Sequence, residues 1–161
     1  MEERAKKIVT VIQANPLLSK QKNENAILKV AAYCRVSTDS EDQIESYKAQ
    51  VSHYTEAIMK NPKWRFVKVY ADEGITGTLD RKRENFLKMI RDCKKGKIDL
   101  ILTKSFSRFA RNTVDSLKYV RQLKALGIGV FFEEQNLNSL TADSEMFVGL
   151  YSVMAQAESE N

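Results

Sequence analysis

The chain has 161 residues, 43% of them apolar and 29% charged, with a net charge of +5. This suits one domain with one sizeable core and excludes a disordered or fibrous chain. Two cysteines at no metal-like spacing exclude a disulfide framework and fit a reducing cytoplasm, while the charged first residues and the lack of a long apolar run argue against a signal peptide and a membrane span.

Residues 1–26 are polar, mixed in charge and broken at Asn15-Pro16, and read as an N-terminal extension. Ile27–Val36 is an apolar run that predicts a buried first strand. Ser40-Glu41-Asp42-Gln43 fits a capping box and opens a helix to about Lys60, with Ile44, Tyr47, Val51, Tyr54 and Ile58 as its buried stripe. Asn61-Pro62 ends it. Trp64–Tyr70 predicts a second strand and Ala71–Lys82 a loop carrying Gly74 and Gly77. Glu84–Lys95 predicts a helix that buries Phe86, Leu87 and Ile90 and is closed by Gly96. A third strand, Ile98–Thr103, leads into a basic segment, Lys104–Asn112. Thr113–Leu126 is a helix closed by Gly127, Ile128–Glu133 a fourth strand, and Asn136–Ala142 a loop. Asp143 caps a last helix carrying Met146, Phe147, Leu150, Tyr151 and Met154, which runs to Asn161 without a C-cap. Strands alternating with helices predict an α/β fold, a mainly parallel central sheet with helices on both faces. Residues 27–142 form the predicted core, and 143–161 the start of a long helix that continues beyond this sequence.

Charge is unevenly spread. Residues 81–124 hold 14 Lys/Arg against 4 Asp/Glu, whereas the rest holds 12 against 17. A basic third of this kind is the footprint of a polyanion, and nucleic acid is the favoured partner over a merely solvated surface.

The most informative stretch is Tyr33-Cys34-Arg35-Val36-Ser37, at the end of the first strand. Strand alternation sets Tyr33, Arg35 and Ser37 on one face and Ala32, Cys34 and Val36 on the other. The C-terminal edge of an open α/β sheet is where ligands bind, and a serine beside a planar, permanently charged arginine suits a phosphate. The plainer alternative is a strand that ends in a polar turn. After the third strand, Phe106-Ser107-Arg108-Phe109-Ala110-Arg111 sets Arg108 and Arg111 three apart, on one side of a helical turn that Phe106, Phe109 and Ala110 pin to the core. Arg35, Arg108 and Arg111 then surround one phosphate next to Ser37 and stabilise its transition state without a metal; the alternative is a turn that only touches DNA backbone. No phosphate-binding glycine loop is present, so nucleotide-dependent chemistry is not expected, and His53, the only histidine, reads as an ordinary helical residue. The scattered carboxylates offer no metal-ligand set.

Tyr33-x-Arg35-x-Ser37, Arg83-Glu84 before a helix, and Ser107-Arg108-x-x-Arg111 occur in an order and spacing that resemble the serine recombinases: resolvases, invertases and large serine integrases or transposases. The resemblance covers residues 28–161, and Asp72-Glu73-Gly74-Ile75-Thr76-Gly77-Thr78 looks most like the large serine subgroup. It implies a resolvase-like fold and a site-specific recombinase in which Ser37 attacks a DNA phosphate to leave a 5′-phosphoserine link. It also implies that Arg35, Arg108, Arg111 and Arg83 hold that phosphate, that Gln50 on the first helix helps hold the site, and that Tyr33 supports it. Such proteins use no metal, nucleotide or other cofactor. They act on duplex DNA at attachment or element-end sites, assemble as dimers and tetramers, and work in the cytoplasm of bacteria or of cells carrying the mobile element. Two departures stand out. Ser107 occupies a position where many relatives carry aspartate, and a C-terminal DNA-reading region is expected but absent from this sequence. The alternative function is a non-catalytic DNA-binding or dimerisation module of the same fold.

Overall fold

Leu28–Val36, apolar save Lys29 and Arg35, forms β1, a strand nearly buried along its length. In this computed structural model, residues 25–36, 41–73, 83–109, 112–141 and 143–160 are described. β1 leads through α1 (Glu41–Lys60) to β2 (Trp64–Glu73), then through α2 (Glu84–Lys94) to β3 (Leu100–Thr103). A short α3 (Phe106–Phe109) and α4 (Thr113–Ala125) precede β4 (Gly129–Phe132), β5 (Leu137–Asn138) and α5 (Ser144–Glu160).

The sheet runs β2-β1-β3-β4-β5, with β1 parallel to β2 and β3, β3 parallel to β4, and only β5 antiparallel. β1 therefore has β2 on one side and β3 on the other. The chain leaves β1 one way through α1 and comes back past it through α2. That reversal makes the crevice between the C-terminal ends of β1 and β3 a topological switch point, the place where such sheets bind ligands.

Alternation along β1 sorts the core into two layers. Val30, Ala32, Cys34 and Val36 join Leu100, Leu102 and the α1 residues Tyr54 and Ile58. Ala31 and Tyr33 join Ile101 and the residues that α2, α3 and α4 bury. Helices thus cover both faces of a mainly parallel sheet, as expected.

Several boundaries differ from the sequence reading, each for a physical reason. β2 continues through Ala71–Glu73, where a loop was expected, because parallel pairing with β1 carries on to Arg35↔Asp72 and Val36↔Glu73. α2 buries Phe86, Met89, Ile90 and Cys93, which share one side, while Leu87 is 41% exposed. Ile44, read as part of the α1 stripe, is 42% exposed, because only the later turns of α1 reach the sheet. The loop expected after β4 holds β5, and Asn136 turns the chain with φ 47°. The helix ends at Gly96 and Gly127 are as read, with φ 77° and 75° respectively. β3 begins at Leu100 rather than Ile98, and the Asp99 carboxylate accepts the Lys29 backbone N–H at 2.9 Å. Residues 1–24, the Ser40 cap and Gly74–Lys82 lie outside the described residues, as do the side chains of Met146 and Phe147.

Candidate active site

Phe106 and Phe109 are fully buried and hold α3 against the end of the sheet, so Arg108, between them, faces outward. Gln135 anchors the start of the turn by accepting the Phe106 N–H at 3.2 Å, and Ser116 of α4 donates to the Phe106 carbonyl at 3.4 Å. Asn112 caps α4, its side chain accepting the Asp115 N–H at 2.9 Å. α3 is thus anchored on both sides, by β1 and by α4.

Tyr33, Cys34, Arg35, Val36, Ser46, Gln50, Lys104 and Arg108 line a cavity of about 210 Å³ at the switch point. Arg108 Nη1 donates to the Arg35 carbonyl at 3.4 Å, tying α3 to β1. Among the described residues, Arg35, Lys104 and Arg108 bring three cations to the lining, with Lys104 Nζ 4.0 Å from Glu134 Oε1, and Gln50 adds an amide from α1. Three cations at one concavity favour a negatively charged ligand. Arg35, Arg108, Gln50 and Tyr33, the described residues singled out from sequence along the strand, the turn and the first helix, come together here. Ser37 and Arg111 lie outside the described residues; Ser37 follows Val36, which lines the cavity. Lys104 and Ser46 were missed. Lys104 had a signal in its place directly after β3, whereas Ser46 had none beyond lying four residues before Gln50, one helical turn away.

Arg83 sits apart from that lining. It occupies the N-cap of α2 and turns inward, with Nη2 and Nε donating to the Tyr33 hydroxyl at 2.9 and 3.2 Å. Nη2 also donates to the Phe109 carbonyl, and the guanidinium lies 4.0 Å from the centre of the Phe86 ring. The Tyr33 hydroxyl in turn donates to Asp72 Oδ2 at 3.0 Å. Asp72 closes the network by accepting the N–H groups of Asn85 at 3.0 Å and Phe86 at 2.9 Å. A carboxylate on β2 therefore caps α2 from outside the helix, where Arg83 supplies no cap of its own. Sequence reading missed Asp72, because the cap acts across 13 residues of chain rather than from the preceding residue. The signal was an aspartate where the strand pattern ends.

Burial pushes the Tyr33 phenol above its ordinary range, with Arg83 pulling the other way. Near neutral pH it stays protonated, engaged by Asp72 and Arg83. It holds β1, α2 and α3 in register and is a poor nucleophile. Cys34 lines the cavity, but its thiol is pushed up to about 12, first by burial and then by the nearby Glu133. Cys93 is likewise pushed up to about 12, first by burial. Both thiols should therefore resist iodoacetamide near pH 8 in the folded protein and react at normal rates in urea. Rapid native alkylation of Cys34, read by mass spectrometry, would contradict this burial.

The family description "Resolvase, N terminal domain" matches residues 30–161. The chain belongs to the resolvase family. Among its relatives, the Transposon Tn3 resolvase of Escherichia coli is 26% identical over 131 residues, 81% of this chain and 64% of that protein. The R46 site-specific recombinase of Escherichia coli is 27% identical, over 81% of this chain and 62% of its own length. The chain thus spans less than two thirds of the curated relatives it matches. A resolvase family site-specific recombinase from Streptococcus pneumoniae superposes with a TM-score of 0.62 at 33% identity, covering 83% of this chain and 89% of that one. The N-terminal catalytic domain of TP901-1 integrase does so with a TM-score of 0.57 at 25% identity, covering 82% and 97%. The resolvase fold expected from sequence is the one observed.

Proposed function

We propose that this resolvase-family chain is the catalytic domain of a site-specific DNA recombinase that cuts and rejoins duplex DNA. Ser37 Oγ attacks a backbone phosphorus, the P–O3′ bond breaks, and the serine proton ends on the departing 3′ oxygen. The products are a 5′-phosphoserine bond and a 3′-hydroxyl. Attack by a 3′-hydroxyl of the exchanged strand reverses the step and frees Ser37. One phosphoester replaces another, so the cycle needs no nucleotide.

The observation that carries this reading is the cavity where Arg35, Lys104 and Arg108 meet, lined also by Val36, the residue before Ser37. Arg35 and Arg108 supply planar two-donor forks to the non-bridging phosphate oxygens, where charge grows in the transition state. Arg111, two residues after α3 in sequence, adds a third fork, Lys104 a point charge, and Gln50 an amide that orients the phosphate. Arg83 and Asp72 act through Tyr33: they fix the end of β1, which carries Arg35 and precedes Ser37 in sequence. Recombination of two sites calls for more than one copy. The last helix supplies the surface for it, since Leu150 and Met154 pack on the core while Val153 is 68% exposed. The partners are therefore duplex DNA and further copies of the chain, as dimer or tetramer, in the cytoplasm. No helix among the described residues is long and apolar enough to cross a membrane.

The test is a denaturing gel of the whole protein incubated with labelled recombination-site DNA. A protein–DNA species that survives denaturant should form, and it should form in EDTA because arginines, not a metal ion, neutralise the phosphate. Cleavage without a covalent species, or lost in EDTA and restored by magnesium, would overturn the mechanism.

A further inference from the structure

The basic third of the chain does not form one surface. Lys104 and Arg108 face the cavity at the C-terminal edge of the sheet. α2 runs back from that edge, and its last turn reaches the opposite one, where the Lys29 ammonium of β1 donates to the Gly96 carbonyl. Four lysines gather around Asp92 and Tyr70, spread from the middle of β2 and α2 to that edge. The Tyr70 hydroxyl donates to Asp92 Oδ2 at 2.6 Å, and Lys97 Nζ lies 3.8 Å from Asp92 Oδ1. Lys68 Nζ sits 5.4 Å from the centre of the Tyr70 ring. Lys88 and Lys95 flank Asp92 on α2, one turn to either side, and both act on its carboxyl, which is held below its ordinary range mainly by the Tyr70 hydrogen bond.

All four lysines are exposed. Four ammonium groups against one carboxylate leave the face at +3, and that carboxylate is already engaged by Tyr70 and Lys97. None of these four lysines lines the cavity. Lys68 stands four residues before Asp72, the β2 partner of Arg35, roughly 13 Å along the strand at about 3.3 Å per residue, and Lys95 and Lys97 lie beyond the far end of α2. Nor does the face suit a second copy of itself, because like charges would meet across the interface. Exposed, net positive and on a protein read as a DNA enzyme, it matches a polyanion.

We propose that the Lys68, Lys88, Lys95 and Lys97 face is a second docking surface for duplex DNA, gripping backbone phosphates without reading sequence, away from the catalytic edge. The proposal rests on the recombinase reading above. It gives the protein a hold on a flanking or second duplex that is independent of the phosphate being cut.

The experiment measures the chain's affinity for a labelled duplex of arbitrary sequence across a salt series. Five proteins are compared: wild type, K68Q/K88Q/K95Q/K97Q, the milder K88Q/K95Q, the equal-charge control K60Q/K118Q/R121Q/K124Q, and the catalytic-edge variant R35Q/R108Q. The slope of log K against log salt should fall by about 2–4 in the face variant, at roughly 0.9 for each phosphate no longer neutralised, and by less than one in the control. The milder K88Q/K95Q should lose about 1–2, and circular dichroism checks that each variant is folded. An equal fall in face variant and control would show that net charge alone matters, and would overturn the proposal. An unchanged slope in the face variant, with weakening in R35Q/R108Q, would overturn it while sparing the DNA reading and would leave the face to an acidic protein. No weakening in any variant would overturn both.

Discussion

Lysine in place of Arg35 or Arg108 should slow DNA cleavage by roughly two to three orders of magnitude, about 3–4 kcal/mol of transition-state stabilisation. Charge is conserved in these variants, so attraction to DNA should change little. What disappears is the fork: a guanidinium presents two parallel N–H donors to two phosphate oxygens, whereas an ammonium is a hydrated point charge on a flexible stem. Arg108 carries a second burden, because its side chain also bonds the Arg35 carbonyl and so couples α3 to the end of β1. Single-turnover cleavage rates at saturating DNA are the measurement. Rates within tenfold of wild type for both lysine variants would reduce the cavity to a patch that merely touches DNA backbone.

Asp72→Ala should lower stability by about 2–4 kcal/mol. The carboxylate accepts three hydrogen bonds, from the Asn85 and Phe86 N–H groups and from the Tyr33 hydroxyl. Losing a helix cap costs roughly 0.5–2 kcal/mol, and leaving buried donors without an acceptor costs about 1–3 kcal/mol each, partly recovered by water. The variant should also cleave slowly even where it is fully folded, because the Tyr33 hydroxyl loses the acceptor that fixes it, and Arg83 bonds that same hydroxyl. Urea denaturation reads the first effect, and cleavage rates well below the transition midpoint read the second. A stability loss under about 0.5 kcal/mol, the low end for a helix cap, would mean that α2 is capped in solution by something other than Asp72.

Most of the fold was legible because its signals are local. The apolar run of β1, the glycines after α2 and α4, and the phenylalanines that pin α3 each declare themselves within a few residues. That Arg35 and Arg108 lie near each other was legible for a different reason: Arg35 stands at the end of β1 and Arg108 on the turn that follows β3, and in a parallel sheet those ends share one edge. What the sequence hid is what depends on pairing across the chain. Asp72 looked like loop because nothing near it shows that β1 extends β2 to Glu73. Arg83 reads from sequence as one more phosphate-binding arginine, and nothing near it shows that its side chain also bonds the Tyr33 hydroxyl and the Phe109 carbonyl. β5 has only two residues, too few for any period to show. Ile44 and Leu87 were read as core from apolar character, yet neither position turns toward the sheet.

The most direct measurement is to map the DNA-linked residue. The whole protein is trapped on site DNA, digested with trypsin and nuclease, and analysed by mass spectrometry. The nucleotide should be found on the peptide of residues 36–48, and fragmentation should place it on Ser37. Ser37→Ala should bind DNA but yield no adduct. Attachment at Tyr33 or Ser107, or an adduct that persists in Ser37→Ala, would contradict the account.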